Sequence, residues 1–114
     1  MEENCLFCKM IKGEVTSSKV FEDDNMIIIK DINPIAPIHY LLIVKEHYQF
    51  LNQQSIEQAH KLGECLHKLS IMQSTLGLDK GYRLIINQGE FAGQSVHHLH
   101  VHILSGKELK WEQL

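Results

Sequence analysis

Four of the chain's eight histidines fall within residues 97–102, in the run His97-His98-Leu99-His100-Val101-His102-Ile103-Leu104. Side chains alternate between the two faces of a β-strand. A strand here puts His98, His100 and His102 on one face and Leu99, Val101 and Ile103 on the other. Three neighbouring imidazoles admit three readings. They could be a solvated polar face, the ligands of a hydrolytic zinc ion, or a catalytic group whose central ring attacks while its neighbours bind anionic oxygens. The metal reading is awkward, because positions i, i+2 and i+4 spread over ~13 Å of strand. A second pair, Cys5-x-x-Cys8, has the spacing of a metal site or a redox motif. A thioredoxin-like motif wants a strand before the pair, and the four residues ahead of Cys5 do not read as one. With no visible export signal, thiols are expected to stay reduced. Read alone, Asn87, Ser95, His39 and Asp31 each fit a local turn or cap as well as a chemical role.

These residues need elements to hold them. Cys5 to Lys12 reads as a short helix closed by Gly13. Lys19–Glu22 and Met26–Lys30 flank the polar stretch Glu22-Asp23-Asp24-Asn25 and predict a β-hairpin. After the ordered loop Asp31-Ile32-Asn33-Pro34-Ile35-Ala36-Pro37, His39–Val44 predicts a third strand. Ser55, with Gln58 three residues on, opens a long helix at a capping box. Ile56, Ala59, Leu62, Leu66, Leu69 and Leu76 make its apolar stripe and Gly77 its stop, with Cys65 a small filler off that stripe. Tyr82–Asn87 and His98–Leu104 predict the fourth and fifth strands, joined by a loop containing Gly89 and Gly93. The sum is an α+β domain: an antiparallel sheet of about five strands with one long and one short helix.

Composition narrows the function classes. With 114 residues, 44% hydrophobic and 22% charged, the chain is expected to be one globular domain, 1–114. A net charge of -3 and a pI near 6.2 argue against binding nucleic acid through a basic surface. No apolar run approaches the ~20 residues of a membrane span, and a cytoplasmic location is expected.

The run His98-Leu99-His100-Val101-His102-Ile103-Leu104 resembles the His-φ-His-φ-His-φ-φ signature of the histidine triad (HIT) family. Phe21-Glu22-Asp23-Asp24, Asp31-Ile32-x-Pro34-x-Ala36-Pro37-x-His39, Asn87-x-Gly89, Gly93-Gln94-Ser95-Val96 and Trp111 also stand where the family's Hint-like branch has them. The resemblance implies a HIT-like fold whose sheet extends across a homodimer. It implies a hydrolase that cleaves the P–N bond of purine nucleoside phosphoramidates and releases AMP or GMP. His100 would attack phosphorus and carry a nucleotidyl intermediate, with His39, His102 and Asn87 around the phosphate and Ser95 near the leaving group. Asp31 would take the ribose hydroxyls, and Phe7, Met10, Ile29, Ile32 and Leu41 would line the base pocket. Trp111, in a tail of residues 105–114, would reach the partner subunit's pocket.

Some bacterial-type members of the family carry the Cys5-x-x-Cys8 pair as half of a structural zinc site, and the resemblance implies such a zinc here. Its ligands would be Cys5, Cys8, His47 and His98, which gives His98 work separate from that of His100, and no cofactor would be required for the chemistry. Three alternatives remain at this level. One is a dinucleoside polyphosphate hydrolase of the Fhit type, which Ser95 and Asn87 disfavour. Another is a nucleotide-binding interaction protein. A redox or zinc-sensing module built on Cys5 and Cys8 is the third.

Overall fold

The computed structural model describes residues 3–111. Helix α1 (Leu6–Lys12) comes first, followed by strands β1 (Lys19–Glu22), β2 (Met26–Lys30) and β3 (Ile38–Val44). Helix α2 (Ile56–Ile71) then leads to β4 (Arg83–Ile85) and β5 (His100–Ser105). The five strands form one sheet in the order β1-β2-β3-β5-β4, with every pairing antiparallel. The α+β class, the five strands and the long and short helices agree with the sequence reading. Among the described residues no helix is long and apolar enough to cross a membrane.

Local chemistry explains most of the elements. Cys5 caps α1, its sulfur accepting the Cys8 N–H at 3.3 Å, and Gly13 closes the helix in the left-handed region that glycine enters without strain. The hairpin turn is built by Asp23, whose Oδ1 accepts the N–H groups of Asn25 (2.8 Å) and Met26 (3.0 Å). At α2 both halves of the capping box are made, Gln58 N–H to Ser55 Oγ and Ser55 N–H to Gln58 Oε1.

The sheet separates two apolar layers. Met26, Ile28, Leu42, Val44, Leu99, Val101 and Ile103 face α2, which contributes Leu62, Cys65 and Leu69. Ile27, Ile29, Leu41 and Ile43 face α1, which contributes Phe7 and Cys8. β2 is therefore buried on both sides from Met26 to Ile29. That is why it reads as a continuous apolar run and not as an alternation.

Several boundaries differ from expectation. The long helix ends at Ile71, and Leu76 is buried by the turns that follow it. Ile56 is 76% exposed and Ala59 is exposed, because the first turn of α2 does not face the sheet. The buried stripe runs through Leu62, Cys65 and Leu69. Cys65 thus lies on the stripe, and burial pushes its thiol up to about 11. β4 keeps only Arg83–Ile85 of the expected Tyr82–Asn87. β5 starts at His100, not His98, because two competing hydrogen bonds end the ladder. The Val44 carbonyl accepts His98 Nε2–H at 2.6 Å, and Leu99 N–H goes to the Tyr48 carbonyl at 2.7 Å.

Candidate active site and metal cluster

The β3–β5 register pairs Ile43 with His100 and Leu41 with His102. Alternation then places His39, Leu41 and Ile43 on the same face as His100 and His102. That face floors an open cavity of about 910 Å3. Among the residues expected to touch a nucleotide, Phe7, Met10, Ile29, Asp31, Ile32, His39, Leu41, Asn87, Ser95, His100 and His102 all line it. Trp111 does not line it and is 80% exposed. Its stretch of chain is held by Arg83, whose Nη2 donates to the carbonyls of Leu109 (3.4 Å) and Lys110 (3.1 Å). Residues 112–114, the end of the expected dimer tail, lie outside the described residues.

The hydrogen bonds assign the ring protons. His100 Nδ1–H donates to the His98 carbonyl at 2.7 Å, which leaves the Nε2 lone pair of His100 unused. Ile35 N–H donates to His39 Nδ1 at 3.2 Å, so the neutral His39 ring carries its proton on Nε2. That proton is directed to His102 Nδ1, 3.0 Å away. His102 in turn carries its own proton on Nε2. The result is one ring with a free basic nitrogen beside another with a free N–H, their centroids 5.2 Å apart.

Burial favours the neutral form of every ring in the group. It pushes His102 down to about 4, with the neighbouring His100 and His39 rings adding to the effect. Burial also lowers His100 and His39, against the pull of Asp31. Near neutral pH these imidazoles are uncharged, so His100 keeps its lone pair. Asp31 is anchored by its own turn, its Oδ1 accepting Asn33 N–H at 2.8 Å. Its Oδ2 lies 3.4 Å from His39 Nε2. The turn role and a position in the cavity therefore coexist in one side chain.

His98 turns the other way. Fully buried, it lies with Cys5, Cys8 and His47 so that one ligand atom from each falls within 4.8 Å of the others. Cys5 Sγ is 3.3 Å and Cys8 Sγ 3.6 Å from His98 Nδ1, while Cys8 Sγ–His47 Nδ1 and His47 Nδ1–His98 Nδ1 are 3.2 and 3.1 Å. Tetrahedral zinc bonds would give S–N and N–N edges of ~3.3–3.6 Å. The His98 tautomer also fits, since its Nε2–H is spent on Val44 and its Nδ1 lone pair faces the sulfurs. The cluster is thus a Cys2His2 donor set compatible with a metal. Asp31, His39 and His102 also converge. There the His39 Nε2 proton occupies the centre of the group, and a cation would have to displace it.

Some contributors were not legible as site residues. Leu6, Ile35, Ile85, Ile86 and Ala92 also line the cavity. Buried Gln94 braces the loop between Asn87 and Ser95, its Oε1 accepting Gly89 N–H at 2.8 Å and its Nε2 donating to the Gln49 carbonyl at 3.4 Å. A glutamine directly after Gly93 was the available signal. The Ile35 amide and the Val44 carbonyl are main-chain groups, and no residue type announces them.

Known proteins resemble this chain in sequence and in fold. The sequence model of the HIT domain matches residues 12–109. Protein HitA of Neisseria gonorrhoeae is 41% identical over 102 residues, which is 90% of this chain and 95% of that protein. An uncharacterized HIT-like protein of Synechocystis is 40% identical over 111 residues, 97% of each chain. A HIT family hydrolase from Clostridium thermocellum superposes with a TM-score of 0.90 at 44% identity, covering 96% of both chains. A histidine triad protein from Clostridium difficile does so with a TM-score of 0.90 at 38% identity, again covering 96% of both. With His100 and His102 on the cavity face of β5 and a HIT domain matched over most of its length, the chain belongs to the HIT family.

Proposed function

We propose that the protein is a nucleotide-binding hydrolase that cleaves the P–N bond of purine nucleoside phosphoramidates through a nucleotidyl-His100 intermediate. The observation that carries this reading is the 2.7 Å bond from His100 Nδ1–H to the His98 carbonyl. It fixes the tautomer with Nε2 free, and it stabilises the positive charge that grows on the ring as Nε2 bonds to phosphorus. The P–N bond breaks, and the amine leaves with a proton relayed by the Ser95 hydroxyl. Water then cleaves the nucleotidyl-histidine, releasing AMP or GMP and restoring His100.

His102 Nε2–H and Asn87 bind the non-bridging oxygens, with His39 aligned behind His102. Asp31 accepts the ribose hydroxyls, and Phe7, Met10, Ile29, Ile32 and Leu41 surround the base. The cavity wall offers Leu84, Ile85, Ile86, Ala92 and Val96, with Lys30 the one cationic residue among those lining it. A polyphosphate leaving group would call for more cations, so this wall favours a phosphoramidate over a dinucleoside polyphosphate. Cys5, Cys8, His47 and His98 hold a structural zinc, whose role is to tie α1 to the sheet and to the loop carrying His47. The protein acts in the cytoplasm as a homodimer in which Trp111 serves the partner's pocket.

The test is AMP release from adenosine 5′-phosphoramidate compared with a diadenosine polyphosphate, with acid-free quenching and mass spectrometry to trap the adduct. Preferred turnover of the phosphoramidate and an adenylyl group on His100 are expected. Preferred turnover of the polyphosphate, or an adduct that never forms, overturns the reading.

A further inference from the structure

The metal cluster and the nucleophile are not independent parts. We propose that metal loading of the Cys5, Cys8, His47 and His98 cluster sets the tautomer and orientation of His100, making His98 a positioning residue for the nucleophile. The inference rests on the reading of His100 as nucleophile given above.

Two links join the sites. His98 offers Nδ1 to the cluster and donates Nε2–H to Val44 at 2.6 Å, while its own carbonyl accepts the His100 ring proton at 2.7 Å. The ring and the carbonyl belong to one residue, so a change in the ring's anchorage is felt by the peptide that holds His100. The second link is Phe7, which stands between the two cysteines in sequence. Its ring packs edge-on against His98 with centroids 5.9 Å apart and against His100 at 5.0 Å. Cys5 is also the N-cap of α1, so the helix that carries Phe7 begins at a cluster sulfur.

His98 lies outside β5, in the bend that precedes it, where the peptide bearing its carbonyl makes a single backbone bond, Leu99 N–H to the Tyr48 carbonyl at 2.7 Å, and no sheet ladder holds it. Its position therefore depends on that one bond together with its side-chain partners. The cluster is also approachable. His47 is exposed, and a surface recess of about 380 Å3 is lined by Asn4, Cys5, Leu6, His47, Ser95 and His97 among others. Ser95 lines both this recess and the active-site cavity. Metal loading is thus open to exchange with solvent, and the hydrolase can be tuned by metal availability although the metal touches no substrate.

The experiment uses 15N-labelled full-length protein, zinc-loaded or stripped with EDTA, with the fold checked by amide spectra. The readout is the His100 ring, whose tautomer and Nδ1–H exchange are read by long-range 1H–15N spectroscopy. Zinc-loaded protein is expected to show a single Nδ1–H tautomer. Stripped, folded protein is expected to show mixed tautomers and ring-proton exchange faster by about tenfold or more. In parallel, kcat on adenosine phosphoramidate falls while KM stays near its starting value.

Should the stripped protein unfold, His47→Asn serves instead, because it removes an exposed ligand and leaves the other three. Zinc titration of that variant should restore the His100 tautomer and kcat together. A His100 ring that is the same with and without zinc overturns the inference. If the ring responds to zinc but neither form hydrolyses the phosphoramidate, the proposed activity falls and the coupling stands.

Discussion

Acid should destabilise this fold through His102, and the size of the effect follows from its burial. The ring has an ordinary value of 6.5 and is pushed down to about 4 in the folded chain, first by burial and then by the His100 and His39 rings. Between those values the unfolded chain binds a proton that the folded chain refuses. Stability is therefore full above pH 6.5, declines as pH falls, and has lost the whole His102 contribution below about pH 4. The full gap corresponds to on the order of 3 kcal/mol. Because the ring is only half-buried, solvent screening reduces this to ~1–2 kcal/mol.

The assay is urea unfolding followed by circular dichroism from pH 7.5 to 4.5, on wild type and His102→Asn with zinc saturating. Whatever the Cys5, Cys8, His47 and His98 group contributes is common to both proteins and drops out of the difference. The variant starts less stable, having lost the bond from His39, but its decline with acid should be shallower by about 1–2 kcal/mol. Parallel curves would refute the argument that His102 is held neutral by its surroundings.

Three further outcomes are expected. His100→Ala should lower phosphoramidate turnover by about three orders of magnitude or more while AMP binding survives; turnover within tenfold of wild type, measured by product release, would remove the nucleophile. Cys5→Ser should abolish near-stoichiometric zinc in freshly purified protein, and because serine is itself a good N-cap, any drop in melting temperature reports the lost metal and not a lost cap; metal analysis decides it. Gly106→Ala should cost on the order of 1–3 kcal/mol, since its φ of +91° is poor for alanine and a Cβ would meet Pro37 Cβ at 2.8 Å and Ile38 N at 3.1 Å. Relief of that clash moves the chain leading into His39, so urea midpoint and turnover should fall together.

Features governed by near neighbours in the chain were legible from sequence. The α2 capping box, the Asp23 turn, the Gly13 stop and the alternation of His100 and His102 against Val101 and Ile103 all rest on spacings of a few residues. The start of β5 was not legible, because it depends on the Val44 and Tyr48 carbonyls, both more than 50 residues away along the chain. The exposed first turn of α2 was missed for a related reason: periodicity shows that a stripe exists but not where the sheet beneath it ends. Cys65 was placed off the stripe because Ile56 and Ala59 were counted on it, which rotated the expected face.

Within the site, side-chain identities were readable and proton positions were not. The His39 and His102 tautomers depend on one loop amide, that of Ile35. Resemblance, not spacing, brought Cys5, Cys8, His47 and His98 together, and the fold supplies the geometric reason for the grouping.

The even and odd positions of β3 serve different masters. Ile38, Tyr40, Leu42 and Val44 belong to the layer beneath α2, while His39, Leu41 and Ile43 face the layer that carries the cavity. A slip of one residue against β5 would exchange these sets, sending an imidazole into hydrocarbon and aliphatic side chains into the site. Reading-frame fidelity of this single ribbon is therefore a condition of chemistry as much as of folding. An insertion or deletion between Asp31 and His39 should therefore impair turnover and folding together.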